Sequence, residues 1–160
     1  MKTALKERKD VDKSLTWDLS SLFQSEKQYD LALKGLEELT LAIEKNYKRK
    51  LNNASIINDC LDKMRVVMEG EDLIENYASL QVSTDQSNEE NQTRYIKSIN
   101  VLADLESRLS FVESEINELD DKIIDEAIEK SKENAHYLSE IKRFKKHSLH
   151  PEVEKDRKSV

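Results

Sequence analysis

The chain has 160 residues, of which 37% are charged, with a formal net charge of −7. This length suits a single domain with one core. The acidic balance argues against a nucleic-acid-binding protein, which needs Lys and Arg concentrated on one face. No stretch approaches the roughly 20 apolar residues of a membrane span, and no signal-peptide pattern follows the basic N-terminus. With one cysteine, Cys60, the chain cannot form an internal disulfide, so we expect a cytoplasmic protein.

The composition also predicts the fold class. There are only 2 Gly and 1 Pro, while Lys, Glu and Leu are abundant. These long side chains lose little rotamer freedom in a helix. We therefore predict an all-α fold, an antiparallel bundle of long helices with a short N-terminal anchoring segment.

The N-terminal region contains an unusual apolar segment. Residues 1–15 are predicted to be a flexible, charged N-terminus, and "TWDLSSLF" follows at residues 16–23. This segment contains the only tryptophan, Trp17, close to Leu19, Leu22 and Phe23. We expect the four side chains to anchor the segment against the bundle, because a buried Trp contributes a large apolar area. The alternative for Trp17 is a hydrophobic staple onto the first helix.

The first long helix is predicted to begin at a capping box formed by Ser25 and Gln28. Apolar side chains then recur at three- and four-residue steps, which indicates a helix of about six turns with one buried stripe. The stripe consists of Tyr29, Ala32, Leu33, Leu36, Leu39, Ile43 and Tyr47.

The second helix is predicted to begin at a cap supplied by Asn53 or Ser55. Gly70 lies within its apolar stripe, at a cost of about 1 kcal/mol relative to Ala. The unbroken stripe favours a helix that runs through Gly70 over a joint at that position. The stripe consists of Ile56, Cys60, Leu61, Met64, Val67, Met68, Ile74, Tyr77, Ala78 and Gln81.

The clearest turn is residues 83–92, where Ser87 and Glu90 form a second potential capping box. A long helix is predicted next, and Asp120–Asp121 indicates its break. Its stripe consists of Tyr95, Ile96, Ile99, Leu102, Ala103, Leu109, Val112, Ile116 and Leu119. A short helix should follow over Ile123, Ile124, Ala127 and Ile128, and a last one over Asn134–Phe144 with Ala135, Leu138, Ile141 and Phe144.

Residues with catalytic or metal-binding chemistry do not form a recognisable set. His147 and His150 make an H-x-x-H, but it lacks the Glu of the zinc-peptidase motif H-E-x-x-H, and Pro151 follows at once. Two ligands do not make a closed zinc site, so we interpret these two and His136 as structural or surface histidines. Cys60 lies on an apolar stripe and is predicted to be a core residue.

Three acidic pairs, Glu37–Glu38, Glu89–Glu90 and Asp120–Asp121, are typical of solvated faces. We therefore assign no catalytic, cofactor-binding or metal-binding residue.

Three segments in order resemble a known family. They are "TWDLSSLF" at residues 16–23, "YASLQVSTDQSNEE" from Tyr77, and "RFKKHSLHPEVEK" from Arg143. The set resembles the N-terminal region of the oligoendopeptidase F branch of the M3 zinc metallopeptidases. The resemblance covers nearly the whole chain, from about Trp17 to Glu154.

The resemblance implies that residues 16–146 are the N-terminal helical domain of such an enzyme and that 147–160 lead toward a catalytic domain. Zinc and the H-E-x-x-H motif would belong to that missing C-terminal domain. The helical domain would form one wall of a channel that admits short peptides, with an exposed apolar strip and with Tyr77 and Tyr95 at a half-apolar surface. The alternative is a non-enzymatic helical scaffold or adaptor. An H-E-x-x-H in the reading frame beyond Val160 would favour the peptidase.

Overall fold

The computed structural model describes residues 8–145, except for the side chain of Lys9. Three short 3-10 helices, Arg8–Asp10, Lys13–Leu15 and Leu19–Ser21, precede the α helices. The α helices are α1 (Glu26–Tyr47), α2 (Ala54–Thr84), α3 (Glu89–Leu109), α4 (Phe111–Glu118), α5 (Asp121–Lys130) and α6 (Lys132–Lys145). Residues 8–145 contain no β-strand, and the predicted all-α bundle is confirmed. None of the helices described has the length and hydrophobicity needed to span a membrane.

The described chain forms two compact units. The first contains the described residues up to Glu44 together with Met64–Leu109, and the second contains Lys45–Lys63 and the described residues from Ser110. The predicted boundaries of an N-terminus at 1–15, a helical domain at 16–146 and a tail at 147–160 stay predictions. The tail lies outside the described residues.

The first unit has an apolar core built from the segment before α1 and from α1, α2 and α3. Its buried residues are Phe23, Tyr29, Leu33, Leu36, Ile74, Tyr77, Ala78, Leu102 and Leu105. Leu19, Leu22, Ala32, Tyr95 and Val101 pack against them while partly exposed. The predicted stripes of α1 and α2 supply most of these positions.

The second unit buries a polar side chain among apolar ones. The Asn134 amide of α6 donates to Asn58 Oδ1 and Asp62 Oδ1, at 3.0 Å each. Asn58 Nδ2 in turn donates to the Ala127 carbonyl of α5 at 3.0 Å. These bonds offset the cost of removing the amides from water and fix α5 and α6 against α2.

Local capping residues determine where the helices begin. Ser25 Oγ accepts the Gln28 amide at 3.2 Å, Asn53 Oδ1 accepts the Ser55 and Ile56 amides at 3.1 Å each, and Asp120 Oδ1 accepts the Lys122 amide at 2.8 Å. The predicted starts of α1, α2 and α5 are therefore confirmed, with Asn53 rather than Ser55 as the cap of α2.

The predicted capping box at Ser87 and Glu90 is wrong by one residue. Asn88 Oδ1 accepts the Asn91 amide at 3.0 Å and caps α3. Ser87 instead donates its hydroxyl to Asp85 Oδ1 at 2.7 Å. Asn is at least as good a cap as Ser, and the competing bond to Asp85 removes Ser87 from that role.

Gly70 lies within an uninterrupted α2, so the prediction that the helix runs through it is confirmed. A Cβ at this position would lie 2.5 Å from Leu36 Cδ2 of α1. Gly70 therefore permits a close approach of the two helices. Gly35 of α1 has no such neighbour, because a Cβ there would meet nothing within 4 Å.

Other predictions about the apolar stripes need correction. The predicted long third helix stops at Leu109, and α4 starts again at Phe111. Met68, Ile96, Ile99 and Phe144 are exposed although they follow a helical spacing. In α3 the buried face passes through Ser98, Leu102, Leu105 and Leu109, so Ile99 is rotated by about 100° from Ser98.

Candidate functional site

A cleft of about 700 Å³ lies in the first unit. One side is formed by the N-terminal segment, with Arg8, Val11, Leu15 and Trp17. The other side is formed by Leu80 and residues 83–87, where α2 turns toward α3. The cleft thus combines apolar side chains with a cation on one side and the Asp85 carboxylate on the other. Its size falls in the range of small-ligand sites, about 300–1,000 Å³.

Trp17 is 70% exposed at this cleft, and Leu15 is 78% exposed beside it. The prediction that Trp17 anchors the segment by burial is therefore wrong. A ring of this size is buried only where a matching apolar surface is available, and α1 and α2 present that surface farther along the segment, at Phe23. The staple alternative also fails, because a staple would bury the ring.

Phe23 is the buried anchor of the segment, being only 5% exposed. Its ring meets Tyr29 edge-on at 5.5 Å and Tyr77 at 5.1 Å between ring centroids. Leu19 and Leu22 pack partly exposed on the same core. The anchoring segment predicted from the sequence thus exists, with three of its four proposed side chains and without Trp17.

Polar bonds between neighbours hold the segment around Trp17. Asp12 Oδ1 accepts the Ser14 amide at 2.9 Å, and Asp18 Oδ1 accepts the Ser20 amide at 2.9 Å. Arg8 Nη2 donates to the Trp17 carbonyl at 3.4 Å. The two carboxylates accept hydrogen bonds, which lowers the pKa of Asp12 and Asp18 below the usual range. The exposed ring is therefore presented by a backbone with its own local structure.

Tyr77 does not lie at a half-apolar surface as predicted. It is buried, its centroid lies 5.3 Å from that of Tyr29, and its hydroxyl accepts a hydrogen bond from Gln81 Nε2 at 2.9 Å. Burial raises the pKa of the Tyr77 phenol above its ordinary value. Tyr95, in contrast, packs partly exposed on the core.

A polar network lies next to these aromatic rings. Arg94 of α3 donates to Gln81 Oε1 at 2.6 Å and to Asn91 Oδ1 at 3.2 Å, and its other terminal nitrogen lies 2.5 Å from Glu26 Oε1. The cation thus connects the first turns of α1 and α3 to the last turn of α2. This arrangement fixes the turn that forms one side of the cleft.

Cys60 and the described histidine match their predicted roles. Cys60 is buried, and desolvation raises the pKa of its thiol to about 12, so the reactive thiolate is suppressed. His136 is exposed. His147 and His150 lie outside the described residues, and their interpretation stays a prediction.

Within residues 8–145, no group of three or more His, Cys, Asp or Glu side chains is placed to hold a metal ion. The residues described here therefore do not fit a zinc centre. The acidic pairs named from the sequence are largely exposed, and Asp120 serves as the cap of α5.

Glu71 is an unusual group that the sequence did not reveal. Its Oε1 is buried without a hydrogen-bond partner in the described part of the chain. Desolvation, with the nearby Glu106 and Asp72 charges, raises the pKa of its carboxyl to about 7. In a sequence with so many charged residues, nothing distinguishes a buried Glu from an exposed one, so only the packing of α2 shows that Glu71 is partly buried.

Comparison with known proteins gives three matches to peptidases. A family model described as Oligopeptidase F matches residues 115–155. An oligoendopeptidase F homolog from Borreliella burgdorferi is 29% identical over 150 residues, which cover 92% of this chain and 25% of that protein. The crystal structure of a proposed peptidase from Chlamydophila abortus superposes with a TM-score of 0.78 at 21% identity, covering 98% of this chain and 27% of the other.

The resemblance to the N-terminal region of oligoendopeptidase F-type peptidases is confirmed. The Chlamydophila structure supports the fold, and the sequence matches support the family. The chain spans about a quarter of the length of the curated relative that it matches.

Proposed function

We propose that this chain is the N-terminal helical domain of a cytoplasmic, oligoendopeptidase F-like zinc metallopeptidase that hydrolyses short peptides. In this proposal the domain forms one wall of the substrate channel, and the catalytic domain supplies the zinc ligands and the general base. The observation that carries the proposal is the alignment of 92% of this chain with 25% of the oligoendopeptidase F homolog. Because this chain corresponds to only a quarter of such a peptidase, its role would be to bind and select the peptide substrate, and the rest of the enzyme would cleave it.

An exposed apolar surface on α3 supports a docking role for the domain. We call Ile96, Ile99 and Ala103 the α3 strip. Ile96 is 60% and Ile99 41% exposed, and the i, i+3, i+7 spacing places all three on one face of the helix. Isolated exposed apolar residues are ordinary, but a continuous stripe is typical of a surface that another element covers.

The edges of the α3 strip are acidic. Ile99 and Ala103 line a shallow depression together with Glu75 of α2 and Glu106 of α3. An apolar centre with a charged rim is the usual composition of a protein interface. We therefore assign the α3 strip to the contact with the catalytic domain and expect basic residues on the opposing surface.

Association with a peptidase that lacks its own copy of this domain tests the proposal. The oligoendopeptidase F homolog would be expressed without the quarter that matches this chain, and the chain would be titrated into it. Ile96→Ser/Ile99→Ser should weaken association tenfold or more, because burial of an Ile side chain contributes about 1.5–3 kcal/mol. The matched control is Leu31→Ser on α1, where the side chain is 61% exposed.

The control variant should bind like the unchanged chain. A scaffold or adaptor would give no association with the peptidase, and that result would contradict the proposal. If the control weakened association equally, the chain would still be a domain of the peptidase, but its contact with the catalytic domain would not lie at the α3 strip.

A further inference from the structure

The cleft between the N-terminal segment and the α2–α3 turn has no role in the channel-wall proposal. Among the described residues that line it, the one large aromatic group is Trp17, which is 70% exposed and is the only tryptophan in the sequence. Trp is among the residues that dominate binding energy when a partner covers them. An exposed Trp beside a cleft of about 700 Å³ therefore indicates a ligand-binding surface.

Hydrogen bonds within each side of the cleft hold its local backbone in place. Asp18 Oδ1 accepts the Ser20 amide, and Arg8 Nη2 donates to the Trp17 carbonyl. Thr16 Oγ1 donates to the Lys13 carbonyl at 2.8 Å. On the facing side, Asp85 Oδ1 accepts both the amide and the hydroxyl of Ser87, at 3.1 and 2.7 Å. A prearranged site loses less conformational entropy on binding than a mobile one.

The charges of the cleft restrict the ligand to a class. The Arg8 guanidinium suits a carboxylate, which it can bind through two N–H groups. Asp85 uses Oδ1 for Ser87, and its Oδ2 accepts no hydrogen bond from the described residues, so it can receive an ammonium group. Between these charges lie the apolar surfaces of Leu15, Trp17 and Leu80. A ligand with one cationic end, one anionic end and apolar side chains matches all three features.

We propose that this cleft is a binding site for short, unblocked apolar peptides, with the side chains on Trp17 and Leu15, the carboxylate at Arg8 and the ammonium at Asp85. The choice of peptides rests on the proposed function, whereas the site itself rests on the cleft. The cleft volume of about 700 Å³ lies within the range of small-ligand sites, which favours a short peptide.

Fluorescence of the sole tryptophan measures this binding directly. The chain would be titrated with Ala-Leu-Leu-Ala carrying free ends, and the emission of Trp17 should shift to shorter wavelength as the ring loses water. Amidating the C-terminus or acetylating the N-terminus should each weaken binding about fivefold, since each removes one exposed ion pair. Ala-Gly-Gly-Ala, which lacks the large side chains, should give no shift.

Matched variants assign each end of the peptide. Arg8→Gln should weaken the free peptide about fivefold more than it weakens the amidated peptide, because amidation already removes the carboxylate that Arg8 binds. Asp85→Asn, which keeps Oδ1 as the acceptor for Ser87, should weaken the free peptide about fivefold and leave the affinity of the acetylated peptide unchanged. Asp30→Asn, at an exposed position on α1, is the control and should leave both affinities unchanged.

Four results would overturn the site. They are no shift at millimolar peptide, an equal shift with Ala-Gly-Gly-Ala, variant effects independent of the peptide ends, or a concentration-dependent shift without peptide, which would mean that a second copy covers Trp17. None of them bears on the channel-wall proposal, because that is tested on the peptidase and not on the isolated chain.

Discussion

Replacing Phe23 should destabilise the first unit far more than replacing Trp17, although Trp17 is the larger residue. Phe23 is 5% exposed and its ring meets Tyr29 and Tyr77 edge-on, so Phe23→Ala removes buried area and two ring contacts. Phe→Ala in a core costs about 3–5 kcal/mol, which includes about 0.5–1.5 kcal/mol for each aromatic pair. Trp17→Ala, at 70% exposure, should stay within about 0.5 kcal/mol.

The assay is urea unfolding followed by circular dichroism at the helical band, with thermal unfolding as a second measurement. For a chain of this size, 1 kcal/mol corresponds to about 2–4 °C, so Phe23→Ala should lower the midpoint by about 6–20 °C. The same substitution at the exposed Phe144 is the matched control and should have a much smaller effect. If Trp17→Ala lowered stability as much as Phe23→Ala, the identification of Phe23 as the anchor would be refuted.

Three further predictions concern a glycine, a carboxyl group and metal binding. Gly35→Ala should stabilise the chain by about 0.5–1 kcal/mol. Gly70→Ala should increase stability less or lower it, because its Cβ would lie 2.5 Å from a leucine side chain of α1. Equal urea midpoints for the two variants would contradict this close approach. The pKa of Glu71 is raised from 4.5 to about 7, so its contribution to stability is present at low pH and is lost as pH rises toward 7. Glu71→Gln should remove that loss and increase the free energy of unfolding by about 1–2 kcal/mol at pH 8, after allowance for solvent screening. A pH profile of stability that the substitution leaves unchanged would show that Glu71 is not desolvated. The chelator-washed chain should bind zinc no more tightly than micromolar and hydrolyse no peptide; stoichiometric tight zinc, abolished by His147→Ala and His150→Ala, would reverse that expectation.

The helix starts were predictable where a single capping side chain determines them. Asp120 caps α5 through the amide two residues later, and Ser25 caps α1 through the amide three residues later. Both bonds involve near neighbours, so the sequence contains all the information they need. The start of α3 was misplaced by one residue because Ser87 and Asn88 are both good caps, and the bond from Ser87 to Asp85 decides between them.

Burial was less predictable than helix position. Apolar spacing identified Leu102 as a core residue but also suggested Ile96 and Ile99, which are exposed. Spacing alone cannot distinguish a stripe that faces its own core from one that faces another surface. The same limit applies to Trp17, since its environment depends on which surfaces lie opposite.

The cleft could not be predicted, because its two sides are far apart in the sequence. Arg8 and Trp17 meet Leu80 and Asp85 only through the packing of the N-terminal segment near the end of α2. No periodic pattern or short motif indicates this juxtaposition. The family resemblance, in contrast, was carried by short ordered segments and was available from the residues themselves.

Selection by peptide length is the property that a channel wall must control, and it gives the most direct test. The oligoendopeptidase F homolog lacking the quarter that matches this chain would be assayed with a short and a long peptide that share one cleavage sequence. The measured quantity is the ratio of the two kcat/KM values, without and with this chain added at saturation. The channel-wall function predicts that the ratio approaches 1 without the chain. When the chain is present, the ratio should again favour cleavage of the short peptide. An unchanged preference for the short peptide without the chain, together with no association on mixing, would contradict it.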